Sequence, residues 1–177
     1  MTERAAKPSE RIEVVPAAAE QEAVLANLLQ LYAHDFSEFL DVPLGNDGRF
    51  GGYKNLSLYW REAGRHPFLV MVDGKLAGFV LVKKGSEISS HKNVLDMAEF
   101  FVIRAYRRRG IGTLIAHDVW RRFPGAWEVR VMRANVSACR FWERAILGFT
   151  GEAVRSVRVE KGGEGWKVFS FGSNGSG

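Results

Sequence analysis

The chain has 177 residues, 46% of them hydrophobic, and a formal net charge of +5 at pH 7, which suits a single domain with a full core. Its one cysteine, Cys139, excludes an internal disulfide framework and a cysteine-based zinc site, and the four scattered histidines give no other reason to expect a metal. Because no apolar run is long enough to cross a membrane and residues 1–9 are too polar for a signal peptide, we expect a cytoplasmic protein with no membrane partner.

Hydrophobic periodicity predicts the elements of the first half of the chain. In chain order they are a strand over Arg11–Val15, a helix over Glu20–His34, a loop over Asp35–Lys54, a short helix over Leu56–Ala63, and strands over Phe68–Val72 and Leu76–Val82. The first strand ends at Pro16. The Asp73-Gly74 pair between the last two strands suits a tight hairpin turn.

The second half of the chain alternates between strands and helices. After a polar loop at Ser86–Asn93, the predicted elements are a strand over Met97–Ile103, a helix over Leu114–Phe123, a strand over Trp127–Val131, a helix from about Ser137, and an antiparallel pair over Thr150–Val159 and Trp166–Phe171. The order βααβββαβαββ predicts a mixed α/β sheet. We expect residues 11–171 to form one domain between flexible tails at residues 1–10 and 172–177.

The most informative motif is the segment Arg107–Thr113, which lies between a predicted strand and a predicted helix. Its two glycines, Gly110 and Gly112, let the backbone turn sharply and approach a ligand closely. The N–H groups that open the following helix lack intrahelical partners and lie at the positive end of its dipole, and the arginines add charge-assisted hydrogen bonds. The segment therefore predicts a binding site for an anion such as a pyrophosphate.

Two familiar phosphate loops are excluded by residue type. The dinucleotide-binding fingerprint needs a third glycine where Ile115 stands, and the nucleoside triphosphate loop needs Gly-Lys-Ser/Thr, which the chain lacks. The remaining pattern, Arg-x-x-Gly-x-Gly between a strand and a helix, resembles the acyl-CoA loop of the GNAT superfamily of N-acetyltransferases.

The resemblance continues on both sides of the loop. Residues Phe101–Arg107 resemble the family's strand and Val-x-Pro-x-Tyr-Arg segment, with Arg104 at the usual proline. Further on, Asn135–Ala138, Phe141-Trp142 and Gly148-Phe149 resemble its Asn-x-x-Ala, its aromatic pair and its Gly-Phe. The Glu-Phe-Phe-Val sequence before the loop and the later Phe-Trp are also similar to a bacterial subgroup of the family.

The resemblance implies a fold and a reaction. The fold is a mixed, mostly antiparallel sheet flanked by helices, with acyl-CoA bound where two central strands splay apart. The reaction is transfer of the acetyl group of acetyl-CoA to a primary amine of a small molecule or a protein. The resemblance is compatible with a monomer or a homodimer. By resemblance, the residues that bind acetyl-CoA are Phe100, Phe101, Val102, Arg107, Arg108, Arg109, Gly110, Ile111, Gly112, Thr113 and Asn135.

Glu99 is the candidate general base, because an amine must be neutral to attack and Glu99 is the one acid inside an apolar run. Burial would raise the pKa of such a carboxylate toward the working range of a base. The alternative is a structural carboxylate. Asp96 is the rival base, although its place at the start of the strand favours a role in a turn. Trp142 stands where many family members have a tyrosine that protonates the leaving thiolate, and an indole N–H cannot serve as that acid.

Charge suggests partners of two kinds. The basic residues, which favour an anionic partner, are Arg104–Arg109, Arg121-Arg122, Arg130, Arg133, Arg140 and Arg144. Of these, only Arg107, Arg108 and either Arg109 or Arg140 are expected to touch the cofactor, and the others are expected on a solvated face. The acidic residues at the end of the first helix and in the loop after it are Asp35, Glu38, Asp41 and Asp47, and they favour a cationic acceptor or form a merely solvated loop.

Two other classes of function are weighed against acetyl transfer. One is a noncatalytic acyl-CoA sensor. The other is a basic nucleic-acid-binding domain, which should carry aromatic residues on an exposed basic face, whereas Phe100, Phe101 and Trp127 lie in core-like strand patterns. We therefore expect no nucleic-acid partner.

Overall fold

Seven strands form one sheet in the order β1-β2-β3-β4-β5-β7-β6 in the computed structural model, which describes residues 10–174. The strands are β1 (Ile12–Pro16), β2 (Arg65–Val72), β3 (Lys75–Lys84), β4 (Leu95–Val102), β5 (Gly125–Met132), β6 (Arg155–Lys161) and β7 (Glu164–Ser173). The helices are α1 (Glu22–Phe36), α2 (Leu58–Arg61), α3 (Ile111–Arg122) and α4 (Val136–Thr150). Every neighbouring pair is antiparallel except β4 and β5, so the predicted mixed, mostly antiparallel sheet is confirmed.

Some element boundaries differ from the predicted ones. Helix α2 has only four residues, because residues 54–57 before it form turns instead of extending the helix. Strand β4 begins at Leu95, two residues earlier than predicted, and β6 begins only at Arg155. Strand β7 continues to Ser173, whose side chain is buried and donates to the carbonyl oxygen of Trp120 at 2.6 Å. Of the predicted tails, residues 1–9 and 175–177 lie outside the described residues.

The β2–β3 hairpin shows how local chemistry sets the connection. Asp73 and Gly74 both have positive φ, at 50° and 74°, as a type I′ turn requires. Glycine adopts this conformation without strain and aspartate is among the residues that tolerate it. The predicted tight turn is therefore confirmed.

The sheet separates two hydrophobic layers. Helices α3 and α4 cover one face, where Ile115, Val119 and Trp120 are fully buried. Helix α1 covers part of the other face through Leu25, Leu28 and Leu29, which repeat at the spacing of one helical face. Among residues 10–174, no helix is long and apolar enough to cross a membrane.

Two irregularities in β4 shape the centre of the sheet. Leu81 of β3 pairs with Glu99 and Val82 pairs with Met97, so Ala98 is the extra residue of a β-bulge. On its other side, β4 pairs with β5 only through Leu95 and Asp96, at the start of both strands. Beyond this point the two strands diverge and leave a gap in the middle of the sheet. The predicted splaying of two central strands is thus confirmed.

Candidate active site

The segment Arg107–Thr113 joins the end of β4 to α3, as predicted. Arg108 and Gly110 both adopt positive φ, at 61° and 76°, and Gly110 is the N-cap of α3. The first bond inside the helix runs from the N–H of Leu114 to the carbonyl oxygen of Gly110 at 3.2 Å. The N–H groups of the preceding turn therefore point away from the helix, where an anion can accept from them.

The two glycines of this loop meet different constraints. A Cβ atom on Gly110 would touch nothing within 4 Å, so its positive φ is the reason for glycine there. A Cβ atom on Gly112 would lie 3.1 and 3.2 Å from ring carbons of Phe141 in α4. Gly112 thus lets α3 begin close against α4.

Arg107 of the loop and Arg104 just before it already have partners within the protein. Arg107 donates from Nε to the carbonyl oxygen of Val102 at 2.6 Å and also pairs with Asp35, at the C-terminal end of α1. Arg104 pairs with the same carboxylate at 2.7 Å. Although partial burial acts in the opposite direction, these two arginines hold the pKa of Asp35 below its ordinary value.

Arg108 and Arg109, the other two arginines of the loop, have different surroundings from those of Arg107. Arg109 pairs with Glu10, and its guanidinium lies 5.7 Å from the centre of the Tyr106 ring. Arg108 is exposed at its left-handed backbone position. Ile111 is buried beneath the loop, whereas Gly112 and Thr113 are partly exposed.

The backbone of β4 offers hydrogen-bonding groups to the gap. Ile103 donates from N–H to the carbonyl oxygen of Ala77 in β3 at 2.8 Å. Alternation along an antiparallel pair then turns the backbone groups of Phe101 toward β3 and those of Phe100 and Val102 toward β5. Since Arg107 already bonds the carbonyl oxygen of Val102, the open groups at the gap are chiefly those of Phe100 and the N–H of Val102.

Glu99 lies beside this gap, on the α1 side of the sheet. Its carboxylate accepts hydrogen bonds from the hydroxyl groups of Tyr32 at 2.6 Å and Tyr53 at 3.0 Å, and Arg130 lies 3.9 Å away. The side chain is only 14% exposed. Burial raises the pKa of Glu99, and the positive charge of Arg130 and the two hydroxyl groups offset only part of that rise.

Asp96 has a different environment from the predicted one. It lies inside β4, is 1% exposed, and forms an ion pair with Arg130, with Lys83 3.9 Å away. The predicted turn role is therefore wrong, because β4 starts one residue before Asp96. Arg130, expected on a solvated basic face, is instead a mostly buried partner of both carboxylates. Asp96 positions Arg130, and Arg130 in turn lies against Glu99.

Asn135 and Trp142 both belong to helix α4, Asn135 as its N-cap and Trp142 on its buried face. The Oδ1 atom of Asn135 accepts from the N–H of Ala138 at 3.0 Å, so Asn135 caps the helix. Trp142 is 6% exposed and packs edge-on against Phe100, with ring centres 4.9 Å apart. Trp142 therefore belongs to the core. Helix α4 also runs through Gly148-Phe149 to Thr150.

The loop that follows α1 is tied to that helix. Gln30 exchanges two hydrogen bonds with the backbone of Phe50, at 2.9 and 3.1 Å, and Leu44 forms a β-bridge with Phe50. This arrangement brings Tyr53 to Glu99. Asp35 is occupied by arginines, whereas Glu38, Asp41 and Asp47 are exposed.

Sequence reasoning missed three partners of Glu99. Tyr32 follows the apolar spacing of α1, Tyr53 lies in a loop without periodicity, and Arg130 lies in a chain rich in arginines that favour the surface. The one available signal was the placement of polar groups on core-facing positions, which demands buried partners. Within the described part of the chain, no cluster of three or more His, Cys, Asp and Glu side chains is arranged to hold a metal ion.

Solved structures share this fold. An acetyltransferase from Thermus thermophilus is 15% identical, with a TM-score of 0.63, and the match covers 91% of this chain and 96% of that one. Arabidopsis thaliana NAA60, solved with acetyl-CoA, is 17% identical, with a TM-score of 0.60 and coverage of 93% and 100%. The aminoglycoside acetyltransferase AAC(6')-Ib, solved with coenzyme A, is 10% identical, with a TM-score of 0.65 and coverage of 92% and 95%.

Sequence comparison supplies the family. The sequence model of the acetyltransferase (GNAT) family matches residues 25–149, which is more than half of the chain. No curated protein matches the chain by sequence. The chain belongs to the acetyltransferase (GNAT) family, in agreement with the predicted fold and with the resemblance of its loop.

Proposed function

We propose that this protein is an N-acetyltransferase that moves the acetyl group of acetyl-CoA to a primary amine of a cationic acceptor. The observation that carries the proposal is the position of Glu99, a mostly buried carboxylate beside the gap between β4 and β5. The gap leads along β4 to the Arg107–Thr113 loop. Family membership and the neighbours solved with coenzyme A or acetyl-CoA support the same reaction. A cytoplasmic location is part of the proposal.

The residues present fit a coenzyme A molecule. The first N–H groups of α3, which follow Gly110 and lack intrahelical partners, suit the pyrophosphate, and Arg108 and Arg109 supply positive charge nearby. Backbone groups of Phe100 and Val102 suit the amide groups of the pantetheine arm, which would lie in the gap like an added strand. The Nδ2 donor of Asn135, whose Oδ1 atom caps α4, suits a contact with the same arm.

The chain's own residues then handle the protons. When bound, acetyl-CoA supplies an activated acetyl thioester. An incoming ammonium has no lone pair, so Glu99 accepts a proton from it, directly or through one water, and leaves a neutral nucleophile. The N–C bond forms as the C–S bond breaks, and the nitrogen releases its second proton to water as the amide forms. Tyr32 and Tyr53 orient the carboxylate through their hydroxyl groups.

The leaving thiolate is protonated without Trp142. The indole N–H of Trp142 is not an acid at neutral pH, and the ring is enclosed in the core. A thiol pKa of about 8.5 makes a thiolate a fair leaving group, so water suffices as the proton source. The exposed acids Glu38, Asp41 and Asp47 favour a positively charged acceptor on the α1 side.

The test is release of free thiol across a panel of amines, with wild type and Glu99→Gln. Glu99→Gln keeps the shape of the side chain and removes its basicity. We expect the rate at neutral pH to fall roughly 10²–10⁴-fold and the affinity for acetyl-CoA to stay nearly constant. A folded Glu99→Gln enzyme with the wild-type pH–rate curve would remove Glu99 from the mechanism.

Tyr32→Phe is the control variant for Glu99→Gln. It leaves the Glu99 carboxylate in place and removes one hydrogen bond that lowers the pKa of Glu99. The acidic limb of the kcat/KM profile should therefore move to higher pH in Tyr32→Phe while activity persists. Such a displacement distinguishes a titrating base from a structural carboxylate, which would change the melting temperature and leave the limb in place.

A noncatalytic acyl-CoA sensor is the second candidate. The observation that favours it is that both oxygen atoms of Glu99 already accept hydrogen bonds and Trp142 is enclosed. Tight binding of acetyl-CoA without thiol release from any amine would establish this alternative.

A further inference from the structure

Strand β6 forms one edge of the sheet, at the opposite end from β1. It is seven residues long, and among residues 10–174 it pairs with no strand except β7. Its other side therefore presents backbone N–H and C=O groups that a strand from another chain can bond. Because β7 and β5 lie between β6 and the gap beside β4, this edge is separate from the place of acetyl transfer.

The turn between β6 and β7 decides which backbone groups face the open edge. Gly162 and Gly163 have φ of 64° and 82° and join Lys161 to Glu164, as in a type I′ hairpin turn. The two residues that flank such a turn bond to each other, and hydrogen-bonded pairs then alternate along both strands. The residues of β6 whose backbone groups point to the open edge are therefore Ser156, Arg158 and Glu160.

The side chains of β6 are left incomplete within one chain. Val157 is 59% exposed, although its neighbour across the β6–β7 pair, Val168, is buried. On the other face of the strand, Arg158 lies opposite Lys167, which has Glu143 as its partner, whereas Arg158 forms no ion pair with a described residue. Like charges that face each other across a strand pair are unfavourable. An added strand with an apolar residue on one face and an acid on the other would complete both faces.

A second copy of β6 has this pattern. In an antiparallel pair related by a two-fold axis, one residue faces its own copy on the axis. With Val159 on the axis, Arg158 lies opposite the partner's Glu160, and the two outward-facing residues meet in hydrogen-bonded pairs. The axis at Arg158 would oppose two guanidinium groups, and the axis at Val157 would place Arg158 opposite a serine. Only the axis at Val159 pairs each arginine with a carboxylate.

We propose that two copies of this chain associate through antiparallel β6 strands, with Val159 on the two-fold axis. Each Arg158 pairs with the partner's Glu160, whose Oε1 atom accepts from Arg133 of its own chain at 3.0 Å, which leaves Oε2 for the contact. Val157 and Val159 of both copies form one apolar strip on the other face. The assembly stops at two copies, because the two-fold pairing occupies the β6 edge of each.

The first test is sedimentation velocity of the whole chain from roughly 1 µM to 1 mM, a range in which moderate and weak dimers dissociate. We expect wild type to shift from monomer to dimer. Glu160→Arg replaces both ion pairs with like charges and should weaken dimerisation by about tenfold or more. Combining Arg158→Glu with Glu160→Arg exchanges the two charges and should restore the wild-type dissociation constant. Glu38→Arg, at an exposed acid far from β6 in sequence, should dimerise as wild type does.

Amide hydrogen exchange tests the register residue by residue. The N–H groups of Arg158 and Glu160 gain a hydrogen-bond partner only in the dimer, so their exchange should slow as the protein concentration rises. The N–H groups of Val157 and Val159 bond to β7 within one chain, so their exchange should change far less.

The proposal is overturned if wild type stays monomeric over this range, or if folded Glu160→Arg dimerises as tightly as wild type. It is equally wrong if the charge exchange does not recover the lost dimer, or if Arg158 and Glu160 gain no protection in the dimer, because another surface then joins the copies. Should Glu160→Arg fail to fold, Arg158→Glu tests the same repulsion with two facing carboxylates. None of these results depends on whether the protein transfers acetyl groups.

Discussion

Gly110 and Glu99 show how single residues define this site. Gly110 is required by backbone conformation, since its φ is 76° and its surroundings are open. Glu99 is defined by its partners, because two tyrosine hydroxyl groups and Arg130 hold a carboxylate that burial makes more basic. The sequence predicted the loop and the acid. It did not predict the tyrosines, which come from α1 and from the loop after it.

The loop assignment is testable by charge alone at Gly110. Asparagine and aspartate have nearly the same shape, and both tolerate positive φ better than most residues. We expect Gly110→Asp to weaken acetyl-CoA binding by well over tenfold, because a carboxylate would repel the pyrophosphate, and Gly110→Asn to weaken it far less. Calorimetric titration of both folded variants measures the difference. Equal affinities of the two variants would show that the pyrophosphate does not lie beside Gly110.

Helix α4 combines a cap and a core face. Asn135 caps its first turn, and Trp142 packs into the core beneath β4. The helix continues through Gly148-Phe149 to Thr150. The aromatic position thus serves packing, because the helix buries Trp142, Ala145 and Ile146 along one face.

Asn135 is predicted to have two separable roles. Asn135→Ala should lower stability by about 1 kcal/mol through loss of the cap. It should also raise the KM for acetyl-CoA, through loss of the amide contact. Asn135→Ser retains a side-chain acceptor for the cap, so its stability should be close to wild type while its KM is raised. Thermal melts and steady-state kinetics measure both effects. A wild-type KM in Asn135→Ser would leave the cap as the only role of Asn135.

Across the whole molecule, one carboxylate joins the end of α1 to the segment that leads into the Arg107–Thr113 loop. Asp35 lies at the end of α1 and pairs with Arg104 and Arg107, which follow β4. The loop after α1 is in turn attached through Gln30 and Phe50 and delivers Tyr53 to Glu99. The two sides of the site are thus connected by side chains far apart in sequence.

This connection predicts a pH-dependent loss of stability in Asp35→Asn. Because the folded-state pKa of Asp35 is lowered, its contribution is complete above the unfolded value of about 3.9 and disappears as the pH falls through the folded value. We expect Asp35→Asn to cost about 1 kcal/mol at pH 7, allowing for partial exposure, and progressively less in acid. Urea unfolding at several pH values measures this. Glu38→Gln, at an exposed acid, should change little, and a pH-independent loss in Asp35→Asn would point to packing instead of charge.

Local sequence patterns predicted most of the secondary structure, one turn and the loop after β4. Hydrophobic periodicity predicted the order of the main elements, Asp73-Gly74 predicted the hairpin turn, and the two glycines after β4 predicted the loop, because each depends on residues close together in the chain. Tertiary packing decided which polar groups meet. It brought Tyr32 and Tyr53 to Glu99, and it buried Arg130 between two carboxylates. Such contacts join residues many positions apart, and they form only when sheet register, the bulge at Ala98 and helix packing set the distances.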